Sequence, residues 1–287
     1  MDEIPLNILF AVPGMTIDFK NNPVAPNFFL DACPPTFEEY REAFHHIKKE
    51  IGHGNSYLLN LTFKSSIKTN FSLRDIYQQS NAKYKLYFKD QFVVFSPETF
   101  VQIGDGIISS CPMKGTMDAT IENAEQILLN DPKETAEHNT IVDLIRNDLA
   151  MVAEDVWVEK FKCIDRLKTH KGELLQMSSK ISGRLPENYR ETLGETILAL
   201  LPAGSISGAP KQKTVEIIRK TENYERGFYT GIFGYFDGQS LDSAVMIRFI
   251  EKENGQLFFK SGGGITSMSD PEKEYNELIQ KIYVPLD

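Results

Sequence analysis

Four groups of residues in this sequence have the types and spacing that chemistry requires. The first is two carboxylate couples, Glu134 with Glu137 and Glu274 with Glu277, each spaced i,i+3 so that both acids share a helix face. Glu137, Ile141 and Ile145 also lie on one face, so the first couple opens an apolar stripe. A carboxylate turned toward a core needs a partner, and an oxygen-binding cation such as Mg²⁺ would supply one. The ordinary role of either couple alone is a solvated face. The second group is Cys111-Pro-Met-Lys114-Gly-Thr116. A lysine after a strand is usually a solvated loop cation, but here Pro112, Met113 and Gly115 box it in. A partly desolvated amine gives up its proton more easily and becomes a nucleophile.

The third group is Gly204-Ser-Ile-Ser-Gly208-Ala-Pro-Lys211, which opens onto a helix whose free N–H groups would favour an anion. Its spacing does not fit a nucleotide-binding loop, and simple turn chemistry explains such a glycine cluster equally well. The fourth is Arg248 in Ala244-Val-Met-Ile-Arg-Phe-Ile250. Strand alternation would set it beside Met246 and Ile250, with Val245, Ile247 and Phe249 on the other face. An arginine there needs an anion, either a structural Asp or Glu or a ligand carboxylate. Gly262-Gly263-Gly264 follows the next strand and leaves room for a ligand against the backbone. The five histidines (45, 46, 53, 138, 170) and three cysteines form no convincing triad.

The elements that must position these residues are legible from periodicity and punctuation. Residues 1–35 read as short strands and loops. A helix follows at 37–51, with Phe37, Tyr40, Phe44, Ile47 and Ile51 on one face, then a strand at 56–63 and a helical connection at 72–79. Strands are expected at 85–89, 92–96, 99–103 and 106–111. A helical zone at 122–153 contains a restart, with Asp131 as N-cap, Pro132 at the first position and Glu134 third. Beyond a polar stretch of strand character come a strand at 174–181 and helices at 192–200, 211–220 and 271–283. Residues 229–236, 243–251 and 256–261 read as a three-strand meander. There are no repeats and no low-complexity linker. The expected class is α+β, a single domain of antiparallel sheets flanked by helices.

Composition sets the outer limits. The chain has 287 residues, 41% hydrophobic and 25% charged, enough to bury a core without a disulfide or metal staple. Its net charge of −9, with no Lys/Arg cluster, argues against nucleic acid or an anionic membrane surface. Three scattered cysteines, no CxxC, and an N-terminus lacking the basic flank of a signal peptide point to the cytoplasm. No apolar run reaches the ~18–20 residues of a membrane span.

Taken in order, the motifs resemble those of chorismate-utilising enzymes. They are Ser96-Pro-Glu98, Pro112-Met-Lys-Gly-Thr116, Ala136-Glu-His with Ile141-Val-Asp-Leu-Ile-Arg-Asn-Asp148, and Gly204 to Lys211. Tyr229-Thr-Gly-Ile-Phe-Gly-Tyr235, Ile247-Arg248, Gly262-Gly-Gly-Ile-Thr266 and Ser269 to Glu277 complete the set. The resemblance covers residues 37–283 and is nearest the aminodeoxychorismate synthase component I branch. It implies an anthranilate synthase component I-like core, with residues 1–36 a short remnant packed on a catalytic domain of 37–287 and most of the usual N-terminal extension missing. By the same resemblance, Lys114 is a nucleophile toward C2 of chorismate and Glu98 a general acid/base. Glu134, Glu137, Glu274 and Glu277 would hold Mg²⁺. Thr116, Ser207, Gly208, Ala209, Tyr229, Arg248, Gly263, Gly264 and Lys281 would bind substrate. Ammonia would be the second substrate, supplied by a separate glutaminase. Anthranilate, isochorismate and salicylate synthases carry Ala where Lys114 stands. Leu58 replaces the water-activating lysine of isochorismate-forming members, and Gln176 replaces a histidine common in the family. A silent chorismate-binding relative and anthranilate synthase component I are the competing expectations.

Overall fold

A computed structural model describes residues 7–17, 27–169 and 172–286. The chain partitions into two compact units, each assembled from segments distant in sequence. One comprises Met1–Pro97, Ile206–Phe233 and Ala244–Asp287, the other Glu98–Ser205 and Gly234–Ser243. One boundary falls inside the Gly204–Lys211 motif, where no change of composition marks it. Among the described residues the strands form one nine-stranded and one seven-stranded sheet, so the α+β class holds.

In the first unit the strand Leu58–Thr69 lies between Gly208–Ala209 and Gln256–Ile265, and Phe249–Glu253 follows on the far side. Leu59 and Leu61 point to one face, as a period of two requires, and are buried with Tyr40, Phe44 and Ile47 from the helix Phe37–Gly52. Those three share a stripe at i, i+4 and i+7, and the helix starts at Thr36 because Thr36 and Glu39 form a reciprocal capping box. Ile217 and Ile218 of Lys211–Thr221 and Leu278 of Pro271–Gln280 close the same core. Three helices thus cover the sheet face opposite the even-numbered residues of Leu58–Thr69. The short strands expected before residue 36 join the same sheet, Ile8–Val12 between Tyr84–Phe88 and Met15–Ile17, and Leu30–Cys33 beside Leu58–Thr69. Residues 1–6 and 18–26 lie outside the described residues.

In the second unit Gly172–Arg184 is the central strand, pairing antiparallel with Asp155–Thr169, Ile107–Ser110 and Met113–Asp118. The helical zone divides where the sequence indicates: Ala124–Asn130 ends, Asp131 accepts a hydrogen bond from Glu134 N at 2.9 Å, and Pro132–Leu149 begins. Leu128, Leu175 and Met177 pack beneath it.

Three expectations need correction. Residues 243–251 are not one strand: Leu241–Val245 belongs to the seven-stranded sheet and Phe249–Glu253 to the nine-stranded one. The break is made by Arg248, at φ +55, and by Met246, whose N–H and C=O bond Gly231 and Thr230 instead of a continuing ladder. The meander at 229–261 is therefore shared between two sheets. Lys114 lies on the strand Met113–Asp118, not in a loop after one. Finally, the stretch between the expected helices at 192–200 and 211–220 is more than simple turn chemistry, since it contains a helical turn, Gly204–Ser207, and a two-residue strand, Gly208–Ala209. Among the described residues no helix is long and apolar enough to cross a membrane.

Candidate active site

The second unit brings three of the expected residues together. Lys114 Nζ is 3.7 Å from Glu137 Oε2, and both side chains are largely withdrawn from solvent, 29% and 12% exposed. Glu134, one turn earlier, leans on the backbone of Gly115, where a Cβ would come within 3.0 Å of its Oε2. Gly115 also has φ +76, so glycine is needed there twice over. The stripe expected below Glu137 is present, since Ile141 and Ile145 are buried. His138 beside it is fully buried, 2.6 Å from Ser179 Oγ. Burial, reinforced by the charges of Lys162 and Lys114, holds this imidazole down to about 4, so it is neutral at pH 7. Its place beside the lysine was not legible in sequence, because Ser179 and Lys162 reach it from other strands.

Glu98 accepts a hydrogen bond from Ser205 Oγ at 2.8 Å. Ser205 is held in place because Gly204 packs against Asp148 and Leu144, where a Cβ would come within 2.8 Å of Asp148 Oδ2. Thr116 stands opposite Gln176 in the sheet.

The first unit holds a second constellation. Lys281 Nζ bonds the carbonyl of Gly262 at 2.8 Å and pairs with Glu277 Oε1 at 2.5 Å. Glu277 and the buried Glu274 both face Gly263, where a Cβ would lie 3.4 Å and 3.7 Å from their carboxylate oxygens. Gly263 and Gly264 pair with Leu61 and Asn60, and Gly208 and Ala209 pair with Leu59 and Leu58, so these glycines occupy adjoining rows of one sheet. Ser207 is buried just before them. The helix Lys211–Thr221 starts at Pro210 with no side-chain cap.

The sequence left open whether Arg248 meets a structural acid or a ligand carboxylate. Among the described residues no carboxylate pairs with it, its Nε is buried without a hydrogen-bond partner, and its guanidinium lies 5.3 Å from the Tyr283 ring. A buried donor in this state costs free energy until an acceptor meets it. Tyr229, its electrostatic neighbour, is pushed up to about 12 by burial. Burial also drives Tyr224 and Tyr40 well upward, the latter assisted by the charges of Glu274 and Glu277. An unfolded tyrosine ionises near pH 10, so the folded chain holds these protons more tightly. The resulting stability is complete below pH 10 and is lost as pH rises through 12, with Tyr229 alone accounting for roughly 3 kcal/mol. Alkaline titration followed at 295 nm should therefore show tyrosines that ionise only as the chain unfolds. Full ionisation of a folded chain near pH 10 would contradict this burial.

The four metal candidates thus stand as two pairs, one in each unit. Among the described residues no three His, Cys, Asp or Glu side chains are placed to hold a metal. Two carboxylates suffice for Mg²⁺, which commonly keeps several waters and a substrate oxygen.

Comparison with known proteins shows the family of the chain. The family described as chorismate binding enzyme matches residues 15–287, and the chain belongs to that family of chorismate-utilising enzymes. It is 54% identical over 265 residues, 92% of this chain and 80% of the relative, to a protein of Haemophilus influenzae named "Uncharacterized PabA-like protein". It is 32% identical to aminodeoxychorismate synthase component 1 of Bacillus subtilis, over 99% of this chain and 62% of that protein. Among solved structures, anthranilate synthase component I from Streptococcus pneumoniae TIGR4 superposes with a TM-score of 0.75 at 30% identity, over 88% of this chain and 58% of that one. The chain therefore spans less than two thirds of the length of these last two.

Proposed function

We propose that the chain aminates chorismate with ammonia to give 4-amino-4-deoxychorismate. The observation that carries this reading is Lys114 at the glycine-flanked end of Met113–Asp118, withdrawn from solvent and 3.7 Å from Glu137. An amine so placed can open a covalent route. Lys114 Nζ loses a proton to solvent and attacks C2 of chorismate. The ring double bonds shift and the C4–O bond breaks, with Glu98 delivering the proton that lets the hydroxyl leave as water. Ammonia then adds at C4, the double bonds shift back, and the C2–N bond to Lys114 breaks with return of a proton to the amine. One ammonia is consumed and one water released. Arg248 and Tyr229 would bind one carboxylate of the dianion, and the Ser207–Ala209 backbone, the glycines at 263 and 264 and Lys281 the remainder.

The carboxylates fit Mg²⁺: they are hard oxygen donors, and Glu134 and Glu277 lie against glycines that leave space beside them. When bound, the ion would offset negative charge on substrate oxygens, including that of the departing hydroxyl. Ammonia would come free in solution or from a separate glutaminase.

Anthranilate synthase is the second reading, favoured by the likeness to anthranilate synthase component I. Incubation with chorismate, ammonium and Mg²⁺ at mildly alkaline pH, followed by LC–MS with an EDTA control, separates the two. A metal-dependent product about one mass unit lighter than chorismate is expected. Anthranilate would favour the second reading, and no turnover with ammonium or a glutaminase present would mean a silent binder.

A further inference from the structure

Behind the substrate-facing segments of the first unit lies a polar network that the reaction does not use. Its centre is Arg226, which forks onto Glu222 through Nε–Oε2 at 2.8 Å and Nη2–Oε1 at 2.6 Å. The pair is nearly water-free, with side chains 14% and 2% exposed. Arg226 Nη2 also donates to the carbonyl of Asn60 at 2.7 Å, and Nη1 reaches the carbonyl of Ile206 and Thr230 Oγ1, each at 3.4 Å. Glu222 Oε1 accepts in turn from Thr62 N and Thr62 Oγ1, at 2.9 and 2.8 Å, and Thr62 Oγ1 meets the Tyr224 hydroxyl at 2.5 Å. The carbonyl of Arg226 accepts from the buried Lys260 at 2.9 Å and from Tyr229 N at 3.0 Å.

The segments tied here carry, or pair directly with, residues proposed to touch chorismate. Ile206 immediately precedes Ser207, Gly208 and Ala209. Asn60 pairs with Gly264. Lys260 lies on the strand of Gly263 and Gly264. Tyr229 hangs from the Arg226 carbonyl itself. A planar guanidinium is suited to this because it donates in several fixed directions at once, which an ammonium cannot do.

We infer that Arg226, locked by Glu222, is a positioning residue that sets the relative placement of the Ser207–Ala209 segment, Tyr229 and the Gly263–Gly264 strand for chorismate; the inference rests on the reading of the site given above. A defect of folding alone lowers the competent fraction, and hence apparent kcat, leaving KM unchanged. Displacement of binding groups raises KM for chorismate. The experiment measures KM for chorismate and for ammonia, with thermal melts, in Arg226→Lys, Glu222→Gln and Thr62→Val. Arg226→Lys and Glu222→Gln should raise KM for chorismate about tenfold or more, leaving KM for ammonia within about twofold. Thr62→Val keeps the shape and all charges while releasing the side-chain bonds to Glu222 and to Tyr224, and about a threefold rise is expected. If the charge variants do not fold, Thr62→Val decides. Wild-type KM for chorismate in the folded variants overturns the inference alone. A wild-type chain that does not turn over chorismate overturns the reading of the site, and the inference with it.

Discussion

Replacing Lys114 with alanine should lower ammonia-dependent consumption of chorismate by roughly 10³-fold or more while chorismate binding stays within about threefold. The expected size follows from the chemistry. Without the amine, ammonia must displace a poor leaving group in one step, whereas the covalent route divides that step into two allylic displacements. Binding should survive because the groups proposed to hold the two carboxylates, Arg248 and the glycine backbone, belong to other segments. Stability should change little: the Lys114–Glu137 pair is 3.7 Å apart and partly exposed, and such pairs contribute on the order of 1 kcal/mol or less. Lys114→Arg separates charge from nucleophilicity. It keeps a cation beside Glu137 but no reactive amine, and should be as inactive as the alanine variant. Wild-type enzyme given chorismate without ammonia should gain the mass of chorismate less one water, a shift absent from both variants. Turnover unchanged in Lys114→Ala would remove the covalent mechanism.

Gly208→Ala should destabilise the first unit by about 3 kcal/mol or more, a melting shift of roughly 6–12 °C. Gly208 sits at φ +121, and a Cβ there would stand 1.9 Å from the carbonyl oxygen of Leu58. That oxygen is backbone in the strand Leu58–Thr69 and cannot turn aside, so the two-residue strand Gly208–Ala209 must detach. The same displacement would carry Ser207 and Ala209 away, so weaker chorismate binding should accompany the loss of stability. Gly255→Ala supplies the comparison. It also has positive φ, at +83, but its Cβ would meet nothing within 4 Å, so only the local backbone strain of about 1–2 kcal/mol is expected. Equal effects in urea unfolding would mean that the close approach at Gly208 contributes nothing of its own.

Much of this protein could be read before any coordinates. The helix expected at 37–51 was legible because its apolar stripe is a local feature; the Thr36–Glu39 capping box that starts it came only with the structure. The restart at Asp131 was legible for the same reason. The order of the motifs placed the chain among chorismate-utilising enzymes, since each motif is a short run whose spacing survives in one dimension. The strand at 243–251 failed because alternation cannot register one residue in the left-handed region; Arg248 at φ +55 interrupts the extended backbone while the apolar pattern continues.

What sequence by itself determined, then, is what short-range physics determines: helix starts and faces, most strands, and the residue types available for amine, carboxylate and anion chemistry. Tertiary structure alone decided which of those residues keep company. Lys114 finds Glu137 only because Met113–Asp118 lies under the helix Pro132–Leu149, 23 positions along the chain. Among the described residues Arg248 meets no acid, while Arg226 gathers Asn60, Ile206 and Glu222 because the fold brings segments up to 166 residues apart within hydrogen-bond reach. Spacing along a chain sets which side of an element a residue occupies; long-range strand pairing and close backbone packing set what stands opposite it.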